Sequence, residues 1–282
     1  MSRRRLDTEL VRRGLVATRA EGVACIDEGR VLVGGVVADK PARLVGPAEP
    51  IVLSGPPRRW VSRGGDKLDA ALTAWDIDVT GVRALDVGAS TGGFTDCLLQ
   101  RGAASVVAVD VGRAQLADRL RRDPRVEVHE RTNIRHATLT DLGGSPFALI
   151  VGDLSFISLR TVAPAILALA APEATLVLLV KPQFEVGRQE ASKGKGVIRD
   201  PHAWRRVLLE VGSAMESQGS TMMGVMSSPI QGADGNAEFL ARLSAHRPPP
   251  PVDLAARVPI DAAVAEAARA TGPRLRTGEG RG

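Results

Sequence analysis

A doubly wound α/β fold with a mostly parallel sheet, preceded by a small α+β module, is what this 282-residue sequence predicts. Three observations carry the prediction. Apolar strands alternate with helical runs from residue 66 onward, and a Gly/Ser turn follows the first of those strands. The basic excess lies entirely ahead of them: residues 1–63 hold 12 Arg and Lys against 7 Asp and Glu, and the remainder holds 25 against 25. The net charge of +5 therefore belongs to the first fifth of the chain, which points to a polyanionic partner there. Only 5 of the 37 basic residues are Lys, and guanidinium groups suit bidentate phosphate contact.

Helical periodicity appears over 6–13 in Leu6, Leu10 and Val11, and over 19–28 in Val23, Ala24 and Ile26, with Gly14 and Gly29 as stops. Strands follow at Arg30–Val33 and Val36–Ala38 around Gly34-Gly35, a two-residue hairpin signal, and at Ile51–Leu53. A module over 1–55 results. Residues 56–65, Pro-rich at first and anchored by Trp60, read as a linker. The larger domain, 66–245, reads as helix 66–75, strand 83–88, helix 92–101, strand 105–111, helix 114–122, strands 126–130 and 147–153, helix 160–170, strand 175–181, helix 201–218 and strand 221–226. Residues 246–282 open on prolines and turn Ala-, Gly- and Arg-rich, the texture of a weakly ordered tail.

No apolar run approaches the roughly 20 residues that span a bilayer, and arginines interrupt any leader-like core at the start. Cys25 and Cys97 lack metal-ligand spacing and fall on apolar helix faces, as reduced core thiols do. The expectation is a cytoplasmic protein without metal, disulfide or membrane insertion; its oligomeric state stays open, with a monomer favoured.

In Ala84-Leu85-Asp86-Val87-Gly88-Ala89-Ser90-Thr91-Gly92-Gly93-Phe94 an apolar strand enters a tight turn and a helix leaves it, which lets backbone approach a nucleotide-like cofactor. The next strand ends in Asp110, about 20 residues on, placed to accept from ribose hydroxyls. Three readings compete. The spacing is wrong for the dinucleotide pattern G-x-G-x-x-G. Gly88-Ala89-Ser90-Thr91-Gly92 matches the G-x-S-x-G hydrolase elbow, with Asp153 and His202 in permitted order, but that elbow does not predict an acidic strand end 20 or so residues later. An S-adenosylmethionine loop accounts for Asp86, the glycines and Asp110 together.

Asp153 closes the apolar run Ile150-Val151-Gly152, and Lys181 closes Leu178-Leu179-Val180, so both fall where open α/β sheets bind ligands. Lys67 precedes the first strand of the domain and Glu238 follows a late Gly/Asp-rich loop, positions from which each reaches the same sheet edge. A solvated charge or a helix cap is the alternative for any one of them.

At these residues the chain resembles the TlyA family, rRNA 2′-O-methyltransferases also known as hemolysin A, over roughly residues 2–245. Arg5-Leu6-Asp7, Gly14-Leu15-Val16-Ala17-Thr18-Arg19 and Gly29-Arg30-Val31 resemble the alpha-L RNA-binding module of a small-subunit ribosomal protein, with Gly34-Gly35 where that module more often has Asn-Gly. Arg58 to Leu68 resembles the family's linker and domain entry, and Asp153-Leu154-Ser155-Phe156-Ile157-Ser158 and Lys181-Pro182-Gln183-Phe184-Glu185 its later motifs. The tail after residue 246 is outside the pattern. The resemblance implies S-adenosylmethionine as cofactor, held by Asp86, Gly88, Ser90, Gly92, Gly93, Phe94, Asp110, Asn133, Ile134, Asp153 and Phe156, and ribosomal RNA within a ribosomal subunit as partner. It implies that Lys67, Asp153, Lys181 and Glu238 form the Lys-Asp-Lys-Glu tetrad of the 2′-O-methyltransferases. Lys181 would act as base, with Lys67 disfavouring its protonated form and the carboxylates orienting lysines and ribose. Phe156 packs on the cofactor or in the core. Arg3, Arg4, Arg5 and Arg19 are candidate phosphate contacts or solvated helix faces, and Lys193 and Lys195 lie on a loop that closes on RNA or stays in solvent. Two other classes compete, a membrane-active cytolysin and a non-catalytic ribosome-assembly factor. The first lacks a long cationic amphipathic helix, and the second has no use for a tetrad.

Overall fold

The computed structural model describes residues 3–16, 19–27, 29–55, 58–194, 196–247, 249–250 and 252–271. The chain divides into two compact units, Met1–Arg58 and Arg59–Gly282.

The first unit contains β1 (Arg4–Arg5), α1 (Leu6–Arg12), α2 (Arg19–Asp27), β2 (Val31–Val33), β3 (Val36–Val37), β4 (Leu44–Val45) and β5 (Ile51–Leu53). Three strands form an antiparallel sheet in the order β3-β2-β5, and β1 pairs with β4. Gly34 and Gly35 both take positive φ, which a two-residue hairpin of this twist requires. Leu6 and Leu10 of α1, Cys25 and Ile26 of α2, and Val31, Val33, Val45 and Ile51 from the strands close one small core. The pairs β1 and β4 escape sequence reading because two residues carry no alternation.

The second unit runs α3 (Gly64–Ala74), β6 (Arg83–Val87), α4 (Gly93–Gln100), β7 (Ser105–Val109), α5 (Asp118–Arg121), β8 (Val126–His129), β9 (Phe147–Gly152), α6 (Leu159–Leu169), β10 (Ala170–Val180), α7 (Pro182–Glu185), α8 (Arg188–Lys193), α9 (Pro201–Ser217), β11 (Thr221–Ser227), β12 (Phe239–Ser244), α10 (Leu254–Arg257) and α11 (Ile260–Thr271). Seven strands lie in the order β11-β12-β10-β9-β6-β7-β8. β6 to β10 are mutually parallel, and β12 runs antiparallel between β10 and β11. The chain turns outward from β6 in both directions, so the switch point, where α/β folds bind ligands, lies between β6 and β9. Apolar cores cover both faces. One packs α6, α9 and α11 on the sheet, the other α3 and α4.

In the second unit the sequence reading and the structure differ most at four places. The helix expected over 114–122 shrinks to α5, because Ala114 takes φ 53° and breaks the run. β12 is an added strand, unremarked in sequence because its apolar residues run on both faces of a buried position. The expected linker 56–65 has its described residues from Arg59 onward built into the larger unit: Trp60 is buried, and the Val61 N–H donates to Asp96 Oδ2 at 2.8 Å. The expected weakly ordered tail is corrected over 254–257 and 260–271, which are helical. Ile260, Ala263, Val264 and Ala267 form a buried stripe at helical spacing. Their alanines resemble low complexity in sequence, yet an alanine stripe lets a helix pack closely. Residues 272–282 lie outside the described residues. No helix among the described residues is long and apolar enough to cross a membrane.

Candidate active site

The turn between β6 and α4 is shaped by what its neighbours leave no room for. Gly88 takes φ 82°, and a Cβ there would lie 2.8 Å from the Asp153 carbonyl oxygen. That close approach is locked by the Asp153 N–H donating to the Val87 carbonyl at 3.0 Å. Gly92 takes φ 98°, and a Cβ would overlap Leu116 and Leu120. Gly93 opens α4 and lies so close to Ser62 and to the start of α3 that no side chain fits. Phe94 is buried. Gly88, Gly92, Gly93 and Phe94 thus face close packing, whereas Ala89 and Ser90 between them line the cleft.

Asp110 follows β7 and organises the other wall. The Ser90 N–H donates to its Oδ2 at 2.8 Å and the Gly112 N–H to its Oδ1 at 2.6 Å, tying the two loops together. Each carboxylate oxygen keeps a lone pair for a further donor. The cavity between these loops is lined by Ala89, Ala108, Leu116 and Val128, with the carboxylates of Asp110 and Glu130 at its rim. Glu130 is engaged with the Arg121 guanidinium, whereas Asp110 keeps acceptor capacity beside the apolar lining. Glu130 and Gly112 are additions to the sequence reading. Glu130 follows a strand whose exposed alternation hides it, and Gly112 follows a strand end already credited to Asp110.

Asp86 stands beneath this cavity. It is fully buried, accepts from Thr95 Oγ1 at 2.6 Å through Oδ2, and its Oδ1 has no hydrogen-bond partner. Burial pushes its carboxyl up to about 7, and the charges of Asp153 and Asp110 add to the effect. Asp86 secures the start of α4 rather than lining the cleft. Asn133 caps a short 3-10 turn by accepting from the Arg135 N–H at 3.1 Å, and Ile134 sits in the core.

The four charged residues expected at the sheet edge do meet. Lys67 comes from the first turns of α3, Asp153 and Lys181 directly follow β9 and β10, and Glu238 directly precedes β12. Lys181 Nζ lies 2.6 Å from Asp153 Oδ1, Lys67 Nζ lies 3.6 Å from Asp153 Oδ2, and Lys67 Nζ lies 2.6 Å from Glu238 Oε2. Cation and anion therefore alternate along one line, Lys181, Asp153, Lys67, Glu238. Both lysines are 8% exposed and Glu238 is 3% exposed, so water screens the chain of pairs weakly. Gly232 makes room for Glu238, since a Cβ there would overlap its carboxylate. Gly65 does the same for α3 by letting the helix pass over Trp60.

Around the tetrad lie groups that sequence reading left without a role. Lys181 Nζ donates to Ser155 Oγ at 2.9 Å. Glu185 is buried and accepts from Ser158 Oγ at 2.5 Å and from the Leu159 N–H at 2.7 Å, so the segment after β10 caps the helix after β9. Phe156 is not in the core. It is 91% exposed with φ 63°, and its ring centre lies 5.2 Å from that of Phe184. A large non-glycine side chain in a left-handed backbone is costly.

In the first unit, Arg5 and Arg19 are already engaged: their guanidinium groups lie 2.9 and 2.7 Å from Asp7 Oδ2, and Asp7 is buried. The Arg5 hydrogen bond holds the Asp7 carboxyl well below its ordinary range. Arg3 pairs with Glu49 at 2.8 Å, and Arg4 is exposed on β1. Lys193 ends α8, and Lys195 lies outside the described residues.

The second unit is a Rossmann-like methyltransferase fold with a cavity between the loops after β6 and β7 and a four-residue charge line at its switch point. The model of the FtsJ-like methyltransferases matches residues 60–244, and that of the S4 domain matches residues 4–51. A Mycobacterium tuberculosis protein named 16S/23S rRNA (cytidine-2′-O)-methyltransferase TlyA is 50% identical over 241 residues, 85% of this chain and 89% of that protein. Hemolysin A of Brachyspira hyodysenteriae is 38% identical over 237 residues, 84% and 98% of the two chains. The solved structure of a hemolysin-named protein from Streptococcus thermophilus matches at 38% identity with a TM-score of 0.75, covering 95% of this chain and 97% of its own. The chain belongs to the TlyA/hemolysin A family of FtsJ-like methyltransferases with an N-terminal S4 domain.

Proposed function

We propose that this protein methylates a ribose 2′-hydroxyl of ribosomal RNA, a cytidine of the small- or large-subunit RNA, using S-adenosylmethionine, in the cytoplasm where ribosomes are made. The observation that carries this reading is the alternation of Lys181, Asp153, Lys67 and Glu238 beside the Gly88–Gly92 turn. The names of the TlyA relatives support the choice of substrate.

A ribose hydroxyl is a poor nucleophile, so a basic atom must take or polarise its proton while oxygen and methyl are held in line. S-adenosylmethionine supplies, when bound, a methyl group on a sulfonium cation. The residues that would hold it are Asp110 at the cavity rim, the apolar lining, and the backbone of Gly88 to Gly92. Lys181 Nζ takes the hydroxyl proton. Asp153 then holds the resulting ammonium at 2.6 Å, and the Lys67–Glu238 pair steadies the far oxygen of Asp153. With Lys181 neutral, as the base role requires, the line holds one ammonium against two carboxylates and adds no net repulsion to a cationic cofactor. Phe156 offers an exposed aromatic face on which a nucleobase of the substrate stacks. Arg3, Arg4 and the rest of the N-terminal basic excess draw the RNA by its phosphates.

The test is incubation of 30S and 50S subunits with labelled S-adenosylmethionine, followed by nuclease mapping of resistant 2′-O-methylated positions. Incorporation at a ribose is expected, and Lys181→Ala lowers it by about 10²-fold or more while cofactor affinity in calorimetry stays close to wild type. Absence of label in any RNA, or full activity in Lys181→Ala, overturns the reading.

A further inference from the structure

We infer that Ser155 is a positioning residue for the reaction, acting through Lys181; the inference rests on the base role of Lys181 given above. A neutral lysine amine has two N–H bonds and one lone pair arranged tetrahedrally about nitrogen, and only the lone pair takes a proton. Two acceptors stand at hydrogen-bonding distance from Lys181 Nζ, Asp153 Oδ1 at 2.6 Å and Ser155 Oγ at 2.9 Å. Ser155 Oγ accepts from Nζ in hydrogen-bond geometry, whereas Asp153 Oδ1 faces Nζ as an ion pair outside that geometry, so Ser155 is the group that fixes the turn of the amine and with it the direction of the lone pair. Asp153 alone does not achieve this. An ion pair sets distance but not direction, so with Asp153 alone the amine rotates about the Cε–Nζ bond and the lone pair sweeps through orientations that do not meet the ribose hydroxyl.

The surroundings single out Ser155 for this task. It lies two residues beyond Asp153, so the same strand end delivers both acceptors to Lys181 with a fixed relation between them. Lys181 is buried at the bottom of the cleft, whereas Ser155 is exposed at its mouth beside Phe156. The Phe184 ring lies 5.8 Å from Lys181 Nζ and offers no competing acceptor of comparable strength. Ser155 and Lys181 are 26 residues apart, on the segments after β9 and β10, and their hydrogen bond joins the segment that carries the base to the segment that carries Phe156. Because the Ser155 hydroxyl is exposed, removing it leaves the core packing as it is. That separates an effect on the amine from an effect on folding.

The experiment measures methyl transfer from labelled S-adenosylmethionine to ribosomal subunits by the full-length protein, as kcat and KM separately, for wild type, Ser155→Ala, Ser155→Thr and Lys181→Ala, with thermal melting and cofactor calorimetry on each. Ser155→Ala is expected to lower kcat about 10-fold or more, leaving KM for the subunit, cofactor affinity and melting temperature near wild type. Ser155→Thr keeps a hydroxyl at the same atom and restores most of the rate. A wild-type kcat in Ser155→Ala, a loss confined to KM, or Ser155→Thr as slow as Ser155→Ala overturns the inference. Lys181→Ala at the wild-type rate removes the base reading and this inference with it, whereas an inactive Lys181→Ala beside a fully active Ser155→Ala removes this inference alone.

Discussion

Two residues of the cofactor turn separate shape from charge. At Gly88 a side chain meets both an unfavourable φ of 82° and the Asp153 carbonyl 2.8 Å away. Gly88→Ala is expected to cost about 1–3 kcal/mol in urea unfolding and to displace Asp153, weakening methyl transfer more than RNA binding. At Asp86 the effect is electrostatic. Its carboxyl is pushed up to about 7 in the folded protein by burial, against 3.8 for the ordinary group, so between these values the folded state holds a proton that the unfolded chain has released. Raising the pH through that window therefore costs stability. Asp86→Asn, which keeps an acceptor for Thr95, should flatten that part of the stability profile, visible as a difference between wild-type and variant melting temperatures that grows from pH 4 to 7. A difference that does not change with pH would mean that Asp86 is not protonated in the folded protein. Asp86 also shows where sequence stops: its place in the strand-turn-helix motif was legible, but a strand-end carboxylate that lines a cleft and one that lies under it have the same letter and the same spacing.

Among elements, those with a strong period were legible and those defined by their neighbours were not. β6, β7, β9 and β10 read directly as apolar runs, and Asp153 and Lys181 followed from the ends of two of them, whereas Lys67 and Glu238 rested on their approach to that edge and on the family resemblance. β12 and α11 did not, although both are needed. α11 earned no notice because alanine is ambiguous between a helix interface and a low-complexity tail; only packing against α9 and β11 decides. Ile260 is buried at the head of that stripe, and Ile260→Ala is expected to cost about 2–4 kcal/mol in chemical denaturation. An unaffected denaturation midpoint would show that the helix is detached. The short strands β1 and β4 of the first unit were invisible for want of length, yet they set Arg4 on the surface and hold Arg5 over Asp7.

For the whole molecule, the division of charge acquires a finer meaning. The sequence offers Arg5 and Arg19 as candidate phosphate contacts or solvated helix faces, but the structure gives both of them a buried carboxylate to satisfy. Reversing either one to Glu sets two carboxylates against each other at a buried site, so the loss of RNA binding would be mixed with unfolding of the unit. Arg4 has no such duty in the geometry given above. Arg4→Glu is expected to leave the melting temperature within about 1–2 °C, since exposed substitutions change stability little, and to reduce the salt slope of subunit binding by about one. Arg19→Glu should instead lower the melting temperature as well. If both variants melt as wild type, Asp7 is not a structural anchor.

β12 lies between β10 and β11, although it is made after both. During synthesis, therefore, β11 emerges with no strand to pair with, and the edge of β10 stays open until the last strand slides into the gap. An open apolar edge invites pairing with other chains, so the interval before residue 244 leaves the exit tunnel is when this protein is most exposed to aggregation. The same event delivers Glu238 to Lys67. The chain thus acquires its complete charge line only when its sheet closes, and a truncated translation product would carry the cofactor turn without a finished active site.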